Sequence, residues 1–131
     1  MDTVHLNGEL LPLEEARVPV LDRGFIFGDG VYEVIPVYSR CPFRLDEHLR
    51  RLETSLAGIR LENPHSRDQW THRVSELIGA NEGCDLSVYL HVTRGPAPRD
   101  HRFPESVRPT VFMMCQPLVT PPKADVEQGV A

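Results

Sequence analysis

Two side chains suited to gripping a carboxylate stand two residues apart in the run Gly95-Pro96-Ala97-Pro98-Arg99-Asp100-His101-Arg102-Phe103-Pro104. The flanking prolines favour extended backbone, and in an extended chain residues i and i+2 point the same way. Arg99 and His101 would then present a planar guanidinium fork and an imidazole together. The fork matches carboxylate oxygens bidentately, and the ring adds a donor. The same composition also suits a solvated polar loop in which Asp100 and Glu105 neutralise the arginines, and local sequence leaves both readings open.

Other chemistries find less support. The run Gly24-x-x-x-Gly28-x-Gly30 reverses the dinucleotide-binding spacing and precedes a strand instead of a helix, so Gly28 and Gly30 read as positive-φ residues of a tight turn. His5, His48, His65, His72, His91 and His101 form no HxxxH or HExxH pattern, and each reads as a surface or satisfied core residue, not a metal ligand. No G-x-S-x-G elbow nominates a nucleophilic serine. Of 14 basic residues, every one is arginine except Lys123. An imine-forming lysine needs a fixed, usually buried position, whereas Lys123 follows Pro121-Pro122 in a polar tail.

The elements that must position these residues follow from periodicity and turn chemistry. Asn7-Gly8 between two short apolar runs predicts an N-terminal hairpin. Residues 17–30 are too rich in Gly and Asp for a regular element and too apolar for a solvated linker, so an ordered loop packed on the core is expected. Residues 31–38 read as a strand with Tyr32, Val34, Pro36 and Tyr38 on one face and Val31, Glu33, Ile35 and Val37 on the other. Pro36 cannot donate to a ladder, which places an edge or a bulge there. Leu45, Leu49, Leu52, Leu56 and Ile59 recur at helical spacing behind a possible N-cap at Asp46. A second helix starts at the capping box Ser66-x-x-Gln69, carries Trp70, Val74, Leu77 and Ile78 as its stripe, and ends at Gly83 as a C′ glycine. Residues 86–93 and 110–116 read as strands around the loop that carries Arg99 and His101. The fold class expected is α+β, a two-layer small domain of mainly antiparallel sheet with two packed helices. Residues 1–117 form that domain, and the proline-rich, aperiodic residues 118–131 read as an interdomain linker.

Composition narrows the class further. The 131 residues suit one domain, and no apolar stretch approaches the roughly 20 residues of a membrane span. The N-terminus lacks basic and apolar signal regions, so cytoplasmic residence is the expectation. Three cysteines without CxxC spacing, Cys41, Cys84 and Cys115, read as reduced and mostly buried thiols. A net charge of −5 gives no footprint for nucleic acid.

Three blocks together resemble the N-terminal domain of fold-type IV, class IV pyridoxal-phosphate-dependent aminotransferases: Asp22-Arg23-Gly24-Phe25-Ile26-Phe27-Gly28-Asp29-Gly30-Val31-Tyr32-Glu33-Val34, then Glu47-His48-Leu49-Arg50-Arg51-Leu52, then Val92-Thr93-Arg94-Gly95 with Pro98-Arg99-Asp100-His101. The likeness spans almost the whole chain and is strongest to the D-amino-acid branch, because the branched-chain enzymes lack the Arg-x-His pair. The resemblance implies amino-group transfer between a D-amino acid and a 2-oxo acid. It implies that Tyr32, Arg99 and His101 trap the substrate carboxylate, with Arg99 and His101 reaching across a homodimer. It further implies that Val34 walls the side-chain pocket and that Arg51 binds the cofactor phosphate. Pro36 departs from the polar or basic residue common in that branch. In such enzymes the Schiff-base lysine lies in a second, C-terminal domain, so none of these residues is expected to be catalytic and the chain alone is expected to be inactive. An aminodeoxychorismate lyase or a branched-chain enzyme shares the fold. A stand-alone domain serving self-association or anion binding is the reading outside enzymology, and either reading predicts an exposed apolar patch.

Overall fold

Asn7 and Gly8, at φ 52° and 98°, turn β1 (Thr3–Leu6) back into β2 (Glu9–Pro12), the hairpin expected from Asn-Gly, in a computed structural model that describes residues 2–131. After a 3-10 turn at Leu13–Glu15 come α1 (Arg23–Phe27), β3 (Gly30–Tyr38) and the two-residue β4 (Cys41–Pro42). Two helices, α2 (Leu45–Gly58) and α3 (Arg67–Ala80), lead to β5 (Leu86–Thr93) and β6 (Thr110–Pro117), and a last short helix α4 (Lys123–Gln128) lies in the tail. The strands form one sheet in the order β2-β1-β6-β5-β3-β4, every pairing antiparallel. This is the α+β two-layer domain expected.

One sheet face carries the core. Ile35 and Val37, Leu86, Val88, Leu90 and Val92, and Val111 and Met113 meet Leu49, Leu52 and Leu56 of α2 and Trp70, Val74, Leu77 and Ile78 of α3. Each such side chain stabilises the fold by about 1.5–3 kcal/mol on burial. The capping box of α3 forms in both directions, Ser66 Oγ accepting from Gln69 N and Gln69 Oε1 from Ser66 N. Pro36 sits as its missing donor requires. Its carbonyl accepts from Phe43 N, so its nitrogen faces the β4 side, where pairing has already stopped at Val37 and Pro42.

Several local expectations are corrected. The stretch expected to be an irregular loop contains α1, started by Asp22, whose Oδ1 accepts from Gly24 N at 2.8 Å. Asp22 is itself fixed by Thr93 Oγ1 and Thr110 Oγ1, at 2.7 and 2.5 Å, so the helix depends on strands 70 residues and more away. Gly28 does adopt φ 65° as the cap of α1, but Gly30 is regular strand, and its lack of a Cβ matters because one would lie 2.7 Å from Val92 O. The N-cap of α2 is Arg44 in left-handed geometry, and Asp46 lies in the first turn. Helix α3 ends at Asn81, whose buried amide bonds Leu77 O and Thr3 O; Gly83, at φ 111°, belongs to the turn beyond. Cys41 and Cys84 are exposed and only Cys115 is buried. His5 is fully buried, yet among the described residues neither ring nitrogen has a partner. Burial, then Arg73 and His65, push its pKa down, so it packs as a neutral ring. Among the described residues no helix is long and apolar enough to cross a membrane.

Candidate active site

Because the helices cover one sheet face, the other is open over β3. Tyr32 and Val34 lie side by side on it, 64% and 45% exposed, as the alternation of the strand predicts. Tyr32 stacks on Tyr89 at 5.9 Å, and Tyr89 continues to His91 and Phe112, so an aromatic row floors this face. Beside it a cleft of about 370 Å³ is lined by Leu6, Leu13, Val18, Phe25 and Phe112 among others.

Glu33 points the opposite way, into the helix layer, and is only 3% exposed. A buried carboxylate must be paired, and three bonds of 2.7 Å pair it: Arg51 Nε to Oε1, Arg51 Nη2 to Oε2, and His48 Nδ1 against Oε2. Burial alone would raise the Glu33 pKa, but the bonds from Arg51 and His48 and their charges outweigh it and hold the group ionised below its usual range. Arg51 has committed one edge of its guanidinium to Glu33, and among the described residues its Nη1 donors have no partner. Its side chain is 68% exposed in an open cleft of about 300 Å³ shared with Arg44, Glu47 and His48. A phosphate fits this donor set, since a fork with free N–H groups is oriented outward from a fixed base.

Arg99 and His101 are exposed on the loop between β5 and β6. The backbone bends at Arg99, His101 and Arg102 instead of running extended as expected, yet both side chains meet the same ring: Arg99 Cζ lies 5.6 Å from the Phe27 centroid and the His101 ring 5.3 Å from it. Among the described residues no hydrogen bond or ring contact joins this pair to Tyr32 within the chain. The self-paired alternative is partly present one residue on, where Arg102 approaches Asp100 at 3.8 Å, but no such pair holds Arg99. Lys123 sits on α4 with its side chain 89% exposed and 3.6 Å from Glu127.

Beneath that loop lies a cluster that sequence reasoning passed over. Asp29 bonds Arg23 Nε at 2.8 Å and Arg94 Nε at 2.7 Å, and Arg94 runs on to Ile59 O. Both arginines are nearly buried. Burial would raise the Asp29 pKa, but the bonds from Arg94 and Arg23 bring it below the usual range. Phe103 covers the group, 3.8 Å from Arg94 Cζ. The available signal for Glu33 was its charge on an otherwise apolar strand face; Asp29 gave none beyond its place in a turn.

The family model for class IV aminotransferases matches residues 30–130. A D-alanine aminotransferase from Bacillus licheniformis is 40% identical over 128 residues, which is 98% of this chain and 45% of that protein. The chain thus spans less than half the length of this curated relative. Among solved structures, branched-chain amino acid aminotransferase from Escherichia coli superposes with a TM-score of 0.85 over 89% of this chain and 41% of its own. Its 24% identity makes that a likeness of fold. The 4-amino-4-deoxychorismate lyase of Pseudomonas aeruginosa superposes at 0.78 with 27% identity, over 97% of this chain and 44% of its own. Sequence match and fold meet in one conclusion: the chain belongs to the class IV aminotransferase family.

Proposed function

We propose that this chain is the substrate-binding N-terminal domain, residues 1–117 with 118–131 as linker, of a cytoplasmic, homodimeric, pyridoxal-phosphate-dependent aminotransferase. The substrates are a D-amino acid and a 2-oxo acid, in keeping with the likeness to D-alanine aminotransferase. The observation that carries the reading is the delivery of Arg99 and His101 to one side of an ordered loop, with Arg99 free of any acidic partner among the described residues. Arg99 takes the substrate carboxylate through its planar fork, and His101 donates a further hydrogen bond. Tyr32 offers its hydroxyl to the same carboxylate from the open sheet face, and Val34 beside it bounds the side-chain pocket. Arg99 and His101 act from the opposite subunit, which agrees with their separation from Tyr32 within one chain. Large apolar groups exposed around the open face, including Val18, Phe25 and Tyr32, supply the surface for association.

Arg51 holds the cofactor phosphate, with Glu33 fixing its fork. Pyridoxal phosphate, when bound, supplies the carbonyl that takes the amino group and the ring that delocalises the resulting charge. The lysine that attaches it comes from a further, C-terminal domain, and the 131 residues alone are inactive.

In the complete enzyme, Arg99→Ala removes two charge-assisted hydrogen bonds. At about 1.5–3 kcal/mol per bond to a charged group, it should raise KM for D-alanine by roughly 150-fold or more while cofactor absorbance is retained. An unchanged KM would overturn the carboxylate assignment.

A further inference from the structure

The pair that grips the carboxylate sits on an exposed loop between two strands, and a grip is only as useful as its fixed direction. The backbone bends at Arg99 and His101, so an extended run does not hold the two side chains on one side, and a contact outside the loop must. The answer lies in α1, the helix that local sequence disguises as loop. Arg23 and Phe27 are four residues apart and therefore share one face of α1, as the 4.8 Å from Arg23 Cζ to the Phe27 centroid shows. That face meets the loop in two ways. Arg23 Nη1 donates to Asp100 O at 2.6 Å and, at 3.4 Å, to Arg102 O, the two carbonyls that bracket His101. The Phe27 ring lies against the Arg99 guanidinium and the His101 imidazole.

We propose that α1 is the positioning element of the carboxylate grip, with Arg23 setting the backbone of residues 100–102 and Phe27 setting the side chains of Arg99 and His101. The inference rests on the carboxylate role given above for Arg99 and His101. Neither residue of α1 touches substrate in this account. Arg23 is in turn anchored: Asp29 takes its Nε–H, and the same carboxylate ties Arg94 to the end of α2 through Ile59 O. The loop is thus referenced to the sheet through Asp22 with Thr93 and Thr110, and to the helix layer through Arg94. A guanidinium resting on a ring has fewer rotamers to lose when a carboxylate arrives, and cation–π contact holds it there. The ring also keeps the imidazole beside the fork instead of loose in solvent.

The test uses Phe27→Leu, an apolar exchange that leaves no buried polar group unpaired, and Arg23→Lys, which keeps the charge and loses the two-carbonyl reach. In the 131-residue chain, NMR should show the His101 ring signals of Phe27→Leu moving to values typical of free histidine. Native trypsin cleavage after Arg102 in Arg23→Lys should rise about tenfold or more while cleavage within α3 does not change, as local opening predicts. In the complete enzyme, Phe27→Leu should raise KM for D-alanine roughly three- to tenfold with kcat within about twofold, the pattern of a weakened binding contact. If Arg99→Ala raises KM but Phe27→Leu leaves both KM and the His101 signals unchanged, the positioning role is wrong and the carboxylate role stands. If Arg99→Ala itself leaves KM unchanged, both fall. Should Arg23→Lys fail to fold, Phe27→Leu decides alone.

Discussion

Asp29→Asn is the perturbation whose size the structure fixes most closely. The Asp29 carboxylate lies between Arg23 and Arg94, whose side chains are 5% and 3% exposed, while its own is 11% exposed. An asparagine keeps the shape but leaves two guanidinium charges facing one neutral amide. Removing one partner of a buried ion pair costs about 3–5 kcal/mol, because the remaining charge stays desolvated. For 131 residues the unfolding entropy is about 0.28 kcal/mol/K, so the melting temperature should fall by about 11–18 °C. The assay is thermal unfolding followed by circular dichroism, with Asp46→Asn as the reference. Asp46 reaches Arg50 only at 3.9 Å, and both side chains are more than half exposed. Its loss should cost under about 1 kcal/mol even with the helix dipole included. Raising the salt to about 1 M should leave the Asp29→Asn deficit in place, since screening does not reach a buried pair. A deficit below about 1 kcal/mol, or one that salt removes, would mean that Asp29 is not a buried counter-ion for Arg23 and Arg94.

Three further outcomes follow from the same geometry. The folded-state pKa values of Asp29 and Glu33 lie below their ordinary values and that of His5 below 6.5. Their stabilisation is therefore complete above the unfolded pKa values and declines as pH falls, first below about 6.5 as the unfolded state protonates His5 and then more steeply below about 4; a pH titration of stability that is flat from 7 to 3 would contradict this. Gly30→Ala would place a Cβ 2.7 Å from Val92 O, a backbone atom that cannot step aside, so a loss of about 1–3 kcal/mol is expected by chemical denaturation. A thiol reagent should label Cys41 and Cys84 in the native chain and leave Cys115, pushed to about 11 by burial, until the chain unfolds; fast labelling of all three would show an open core.

Much of this architecture is written in local pattern. Period-2 alternation separated Tyr32 and Val34 from Ile35 and Val37, which the fold makes the open face and the core, and the capping box at Ser66 and Gln69 marked the start of α3. What was illegible depends on distant partners. A five-residue helix carries too little periodicity to detect, and α1 exists because Thr93 and Thr110 hold its cap. Gly30 looked like a turn glycine because the approach of Val92 O is a tertiary fact. Proline flanks suggested an extended run at Arg99 and His101, but the chain bends there, and the ring that gathers the two side chains belongs to α1, which local sequence does not reveal. Glu33 was visible as a charge on an apolar face, and its meaning came only with Arg51 and His48 from the next helix.

The division of labour proposed for the enzyme has these residues grip the substrate carboxylate and the cofactor phosphate, with the lysine that attaches the cofactor elsewhere. The direct measurement is borohydride reduction after incubation with pyridoxal phosphate, followed by peptide mass mapping, on the 131-residue chain and on the complete enzyme. No stoichiometric adduct is expected in the chain alone and, in the complete enzyme, one adduct outside these 131 residues. A stoichiometric, site-specific adduct at Lys123 would contradict that division.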